Sequence, residues 1–336
     1  MMNFKLAAIA LITLLGIVSS HAQTDEPVPL GLMLEDYKYP FAVSEIQLTL
    51  QGQKLTMAYM DLKPATPNGK TVMLLHGKNF NGAYWEQTAT DLSRDGYRVI
   101  MPDQIGFGKS SKPTDIQYTF QMLAQNTKAI LDELKITKVT VLGHSMGGML
   151  ATRFALMYPD VVEKLVMENP IGLEDWKTVV PYQSVDDWYA GELKQDYETI
   201  KNYQISNYFH MTWKYEYNKW LNILAGWTMN KAIYTTIAKN AALTYDMIFT
   251  QPVCYEFQNL KMPVLLIIGQ ADRTALGKAK APKDVQDKLG NYPVLGRLTA
   301  EKIKNATLVA IDGVGHLPHI EEYDTFIKPL KEFLKK

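Results

Sequence analysis

Cysteine is almost absent: Cys254 stands alone among 336 residues, which excludes an intramolecular disulfide and any metal site built on paired cysteines. A long apolar span is lacking too. The longest small and apolar stretch, Leu6 to Val18, has 13 residues, short of the ~20 that cross a bilayer. Charge of one sign is missing as well, because 35 basic side chains face 35 acidic ones, and that balance argues against a nucleic-acid partner. No internal repeat occurs. There is no His-Glu-x-x-His helix and no third ligand spaced near His316 and His319, so neither a metal nor another cofactor is expected.

What is present begins with Met1-Met2-Asn3-Phe4-Lys5, the Leu6 to Val18 stretch, and then Ser19-Ser20-His21-Ala22-Gln23. A basic start, a short apolar run and small residues at Ser20 and Ala22 form a secretory signal peptide over residues 1–22. Losing Lys5 with it takes the 35 basic side chains to 34 against 35 acids. An exported chain without a disulfide must rely on a conventional core, which 47% hydrophobic residues can supply. A periplasmic or secreted location is therefore expected, with no stable membrane insertion after cleavage.

Alternating stretches at Ser44 to Leu50 and Lys54 to Tyr59 predict an opening antiparallel hairpin. From residue 70 the texture changes to short continuous apolar runs, at Thr71 to His76, Tyr97 to Met101, Val139 to Gly143, Lys164 to Met167, Val264 to Gly269 and Thr307 to Ile311. Amphipathic stretches at about 83–95, 117–135 and 146–158 lie between the earlier ones. That alternation predicts an α/β fold with a doubly wound, mostly parallel sheet. The rhythm stops between Ile171 and Glu256, a helix-prone segment holding five of the six Trp and ten of the nineteen Tyr. The organisation expected is a core over 23–170, an inserted helical lid over 171–256, and the rest of the core over 257–336.

Gly143-His144-Ser145-Met146-Gly147 matches Gly-x-Ser-x-Gly, a pattern chance would produce in about one chain of this length in ten. Its context is rarer. A buried strand runs into it and a helix leaves it, the order required of a nucleophile elbow, and two glycines remove side chains that would collide in so sharp a turn. A serine hydroxyl needs a base, and the base needs an acid to orient it. His316 lies on the Gly-flanked loop after the last strand; His319, three residues on, is expected to pack or cap the closing helix. Asp272 follows the strand ending at Gly269, and Glu168 is the alternative acid at the end of the preceding strand.

The Lys78 and Met146 amides are the expected oxyanion donors. The Lys78 side chain is expected to point to solvent, the alternative being that it holds an anionic substrate group. Asp103-Gln104-Ile105-Gly106-Phe107-Gly108-Lys109-Ser110 looks like a phosphate loop, but Asp103 stands where the first glycine must be, so it reads as a structural turn.

Together, His76-Gly77, the Asp103 turn, the elbow, Asp272 and Gly315-His316 resemble the α/β-hydrolase superfamily over about residues 70–336, in the style of its lid-bearing serine hydrolases. The resemblance implies Ser145 as nucleophile, Asp272 as acid, His316 as base, and Lys78 and Met146 as oxyanion donors. Epoxide hydrolases and haloalkane dehalogenases of that branch place Asp at the elbow, so Ser145 argues against both reactions. The His-Gly-Gly-Pro-Gly loop of proline iminopeptidases is absent, since Lys78-Asn79-Phe80 follow Gly77. The expected function is cleavage of a small apolar or aromatic carboxylic ester. Alternatives are a carbon–carbon bond hydrolase or cofactor-free peroxidase on the same triad, or a non-catalytic periplasmic binding protein.

Processing after Ala22 gives a mature chain that starts at Gln23. Intact mass and N-terminal sequencing of the exported protein check this, and a mature protein that retains Met1 would refute it.

Overall fold

The computed structural model describes residues 26–336. The signal-peptide expectation over residues 1–22 therefore lies outside the described residues. Eight strands form one sheet: β1 (Val43–Leu50), β2 (Gln53–Leu62), β3 (Thr71–Leu75), β4 (Arg98–Pro102), β5 (Val139–His144), β6 (Val162–Glu168), β7 (Val264–Gly269) and β8 (Ala306–Ile311). Their spatial order is β1-β2-β4-β3-β5-β6-β7-β8. β1 and β2 are the antiparallel hairpin, β2 joins β4 antiparallel, and all later pairings are parallel.

The two kinds of strand differ in burial as their patterns require. β1 alternates between half-buried and exposed positions, whereas every residue of β5 and β7 is buried, because helices cover both faces of the parallel part. Those helices are α1 (Glu86–Arg94), α2 (Phe120–Glu133) and α3 (Met146–Met157) in the first part. In the second part, numbered after four helices described below, α9 (Tyr292–Lys302), α10 (Pro318–Glu321) and α11 (Tyr323–Lys335) pack on β7, preceded by the short α8 (Lys283–Gln286), which buries no residue. Thr119 begins α2 by accepting the Met122 amide through its side chain, a cap of the ordinary kind. One hydrophobic cluster lies on each face of the sheet, centred on residues such as Leu150 and Phe154 on one and Trp85 and Phe326 on the other.

Chain order reverses at β3, which has β4 on one side and β5 on the other. Loops leaving the carboxyl ends of β3 and β5 must diverge there, and the crevice between them is where such sheets bind ligands. The loop at residues 76–82 and the Ser145 turn both open into it.

Between β6 and β7 the chain leaves the sheet as α4 (Val185–Glu192), α5 (Tyr197–Asn207), α6 (Asn218–Met229) and α7 (Tyr234–Thr250). α4 packs on α7 and α5 on α6. Some aromatic rings build this segment's own core, as where Phe209 and Tyr217 stack at 3.8 Å. Others, including Tyr203, Trp227, Tyr234 and Tyr245, line a cavity beneath it.

The phosphate-loop look-alike is a turn wound around one carboxylate. Asp103, 1% exposed, accepts from the Tyr39 hydroxyl and from the Gly82 and Lys109 amides, each at 2.7 Å. Gly108 is needed there because its φ is positive and a Cβ would lie 2.1 Å from Asp103 Oδ2. Removing the acceptor leaves buried donors unpaired, so Asp103→Ala is expected to lower unfolding stability by about 3 kcal/mol in urea titrations. A loss under ~1 kcal/mol would show the turn holds without it.

Candidate active site

The chain passes from β5 to α3 through one residue. Ser145 has φ 57° and ψ −121°, a conformation L-residues rarely adopt and one that costs on the order of 1–3 kcal/mol unless the surroundings enforce it. Small neighbours permit it. A Cβ on Gly143 would sit 2.0 Å from Gly147 O, and one on Gly147 would sit 2.3 Å from Leu75 O. The elbow therefore presses against the end of β3, and Gly77 completes the contact, since a Cβ there would lie 3.1 Å from Ser145 Cβ.

Ser145 Oγ lies 2.9 Å from His316 Nε2, and His316 Nδ1 lies 2.6 Å from Asp272 Oδ2. A carboxylate only accepts, so Nδ1 carries the proton and Nε2 is left to accept from the serine hydroxyl. Asp272 is held from two other sides, by Asn169 Nδ2 at 2.8 Å on Oδ2 and by the Thr274 amide at 2.8 Å on Oδ1. Asn169, at φ 35°, also accepts the Gly269 amide at 2.8 Å, which ties the ends of β6 and β7 together behind the acid.

Glu168, the alternative acid, is committed elsewhere. Its Oε1 accepts from both the amide and Nδ1 of His319 at 2.8 Å, and the His319 ring stacks on Trp85 with centroids 4.3 Å apart. His319 is thus a packed histidine below the site. His316 has the position beside Ser145.

The 76–78 loop is oriented from two directions. Burial lowers the pKa of His76, so the ring is neutral. Its Nε2 accepts the Gln104 amide at 3.0 Å and its Nδ1 donates to Gly77 O at 2.8 Å. Holding that carbonyl turns the other side of the same peptide, the Lys78 N–H, the opposite way. Met146 is the first residue of α3, where an amide has no partner within the helix and the dipole favours negative charge.

A second chain of hydrogen bonds links this loop to His316. The Gly77 amide donates to Tyr84 Oη at 2.9 Å, Tyr84 Oη lies 3.0 Å from His144 Nδ1, and His144 Nε2 lies 2.8 Å from His316 O. Burial drives the His144 pKa well down, so only one arrangement satisfies every atom: Nε2 donates to the carbonyl and Nδ1 accepts from the tyrosine. Sequence reading noted His144 only as the variable residue of the elbow.

Tyr208, also missed, comes from the end of α5. Its ring stacks on His316 at 4.8 Å with 22° between planes, its carbonyl accepts the His316 amide at 2.8 Å, and its hydroxyl accepts from Asn79 at 2.8 Å. No local motif marks it, because the contact spans more than a hundred residues. With this cover in place Ser145 is 6% exposed and His316 fully buried.

The Lys78 side chain does not point to solvent as expected. It turns under the cover, with Nζ 3.5 Å from the centroid of the Tyr245 ring, in a cavity of about 190 Å³ that Glu192, Tyr203, Trp227 and Phe107 help to line. The stem gains apolar contact there, and the ring's negative face attracts the ammonium.

The sequence matches the model of the alpha/beta hydrolase fold over residues 70–323. The chain belongs to the alpha/beta hydrolase family. Like others of that family, it is an enzyme of the hydrolase class. A crystal structure of a probable hydrolytic enzyme from Pseudomonas aeruginosa is 49% identical, with a TM-score of 0.91 over 93% of this chain and 100% of that one. A pimeloyl-[acyl-carrier protein] methyl ester esterase from Aeromonas hydrophila is 25% identical across 79% of this hydrolase and 96% of its own length. A haloalkane dehalogenase from Mycobacterium marinum is 30% identical over 159 residues; the match spans 44% of this hydrolase and about half, 53%, of the relative.

Glu321 braces the His316 loop from behind, accepting the Gly315 amide at 3.0 Å and the Leu317 amide at 2.9 Å. Burial nevertheless raises its pKa from 4.5 to about 7. Between those two values the folded hydrolase keeps a proton that the unfolded chain has released, so stability falls as pH rises through that window. Glu321→Gln fixes the uncharged form. Denaturation at pH 5 and pH 7.5 should show the variant gaining on wild type by on the order of 1–2 kcal/mol at the higher pH, allowing for the group's partial exposure. No change in the difference between the two would contradict the shift.

Proposed function

We propose that this hydrolase cleaves carboxylic esters of small apolar or aromatic substrates through an acyl-enzyme on Ser145. The observation that carries the reading is the unbroken line of contacts from Ser145 Oγ to His316 at 2.9 Å and on to Asp272 at 2.6 Å, set on an elbow strained to φ 57°. His316 takes the hydroxyl proton as Oγ attacks the carbonyl carbon, and Asp272 stabilises the imidazolium that results. The carbonyl oxygen gains negative charge and is met by the Lys78 and Met146 amides. His316 then protonates the departing alcohol, and water repeats the sequence to release the acid.

A methyl ester esterase among the relatives that align over most of this chain supports the ester class. The dehalogenase relative does not carry its reaction over, because a serine stands at the elbow here where the resemblance gives that branch an aspartate. The helices between β6 and β7 serve as the lid, since they enclose both the nucleophile and the aromatic-lined cavity. The stretch from Leu6 to Val18 supports export to the periplasm or beyond.

A fluorophosphonate probe is expected to label the purified mature protein at Ser145. Absence of an adduct, or labelling that survives Ser145→Ala, would remove the reading. Ser145→Ala and His316→Ala should each lower kcat by on the order of 10⁶, with the double variant no worse, and Asp272→Asn should cost somewhat less.

A further inference from the structure

The cavity under the lid holds an ammonium with no acceptor. Lys78 Nζ rests over the Tyr245 ring, and among the described residues it makes no hydrogen bond or ion pair. Glu192 lines the same cavity. The two charges feel each other, since the Glu192 carboxylate partly offsets the burial that lowers Lys78 to about 8, and Lys78 partly offsets the burial that raises Glu192. Yet they stand farther apart than the 4.0 Å of an ion pair. The Glu192 carboxylate accepts from the Tyr245 hydroxyl and has further lone pairs to offer. A cation and an acid that flank one small aromatic-walled space without touching thus leave a free donor and spare acceptor capacity beside it.

We propose that this gap is the subsite for an uncharged end group that both accepts and donates hydrogen bonds, a carboxamide or a hydroxyl, carried on the acyl part of the ester. The inference rests on the ester-hydrolase reading and deepens it. Charge decides the class of the group. A carboxylate would gain Lys78 and be repelled by Glu192, an ammonium would meet the reverse, and in a poorly hydrated cavity either mismatch is costly. A neutral group takes a hydrogen bond from Lys78 and gives one to Glu192. A purely apolar end would leave the buried Lys78 ammonium without an acceptor and Glu192 with the Tyr245 hydroxyl alone.

Position decides which half of the ester carries the group. Lys78 supplies the oxyanion amide with its backbone and the subsite with its side chain, so the two points are no farther apart than the reach of one lysine, roughly 7 Å for six bonds. The cavity borders Lys78, Asn79 and Phe107 but neither Ser145 nor His316. It therefore extends from the oxyanion side of the site, away from the imidazole that must face the departing alcohol. An acyl chain of about five carbons, from scissile carbonyl to end group, fits that reach.

The test is a panel of methyl esters of five-carbon acids ending in methyl, carboxamide, carboxylate or ammonium, assayed for kcat/KM and for equilibrium binding to the Ser145→Ala protein. The wild-type enzyme should prefer the carboxamide over the methyl ester by about tenfold or more and disfavour both charged ends. Glu192→Gln should raise the carboxylate ester relative to the carboxamide, and Lys78→Met should raise the ammonium ester. These opposite shifts separate a subsite from a general loss of structure. Turnover of all four esters at similar kcat/KM, or a wild-type preference for a charged end, overturns the subsite and leaves the hydrolase reading standing. Selective binding of the carboxamide without turnover of any ester supports the subsite and removes the esterase reading.

Discussion

A strand can hand over to a helix through a single residue only where backbone from elsewhere closes around the turn, and in this hydrolase that condition governs the site. Ser145 keeps φ 57° because Gly143, Gly147 and Gly77 let the end of β3 come within contact distance of the elbow. The same approach brings Gly77 and the start of the loop after β3 against the serine. Under the proposed mechanism, nucleophile and oxyanion donors are thus consequences of one packing event. A side chain at any of the three glycines would disturb them together.

The polar groups around this elbow form two networks that share His316. One runs through its ring to Asp272 and Asn169. The other runs through its carbonyl to His144, Tyr84 and Gly77. Burial keeps His144 and His76 neutral, and each then has only one tautomer that satisfies its partners. Low dielectric penalises every other arrangement, so the loop after β3 and the loop after β8 are set relative to each other without a metal-like clamp of charge.

Much of this was legible along the chain because it is local. The six apolar runs from residue 70 onward agree with β3 to β8 to within two residues at each end. β3 to β7 are largely buried and so must be largely apolar, whereas β8, at the sheet's edge, is apolar in sequence although Thr307 and Ala310 are exposed. Gly-x-Ser-x-Gly, Gly315-His316 and the turn at Asp272 could be placed because each follows such a run, and Asp103 could be dismissed as a phosphate-loop residue because a glycine was missing. What escaped notice depends on contacts between distant segments. Tyr208 reaches His316, Asn169 reaches Asp272, and Glu168 reaches His319. The direction of Lys78 was misjudged for the same reason: a lysine after a strand usually faces water, and only the helices inserted more than a hundred residues later supply an aromatic face to attract it inward.

Tyr208 gives the cover a role beyond shelter. Its carbonyl holds the His316 amide and its ring lies flat on the imidazole, so displacing the helices takes support away from the group beside the nucleophile at the moment the serine becomes open to water. Under the proposed mechanism the enzyme is half dismantled whenever it is uncovered. A serine opened to water in that way would face stray acyl compounds beside a His316 that has lost both its stacking ring and its amide's acceptor.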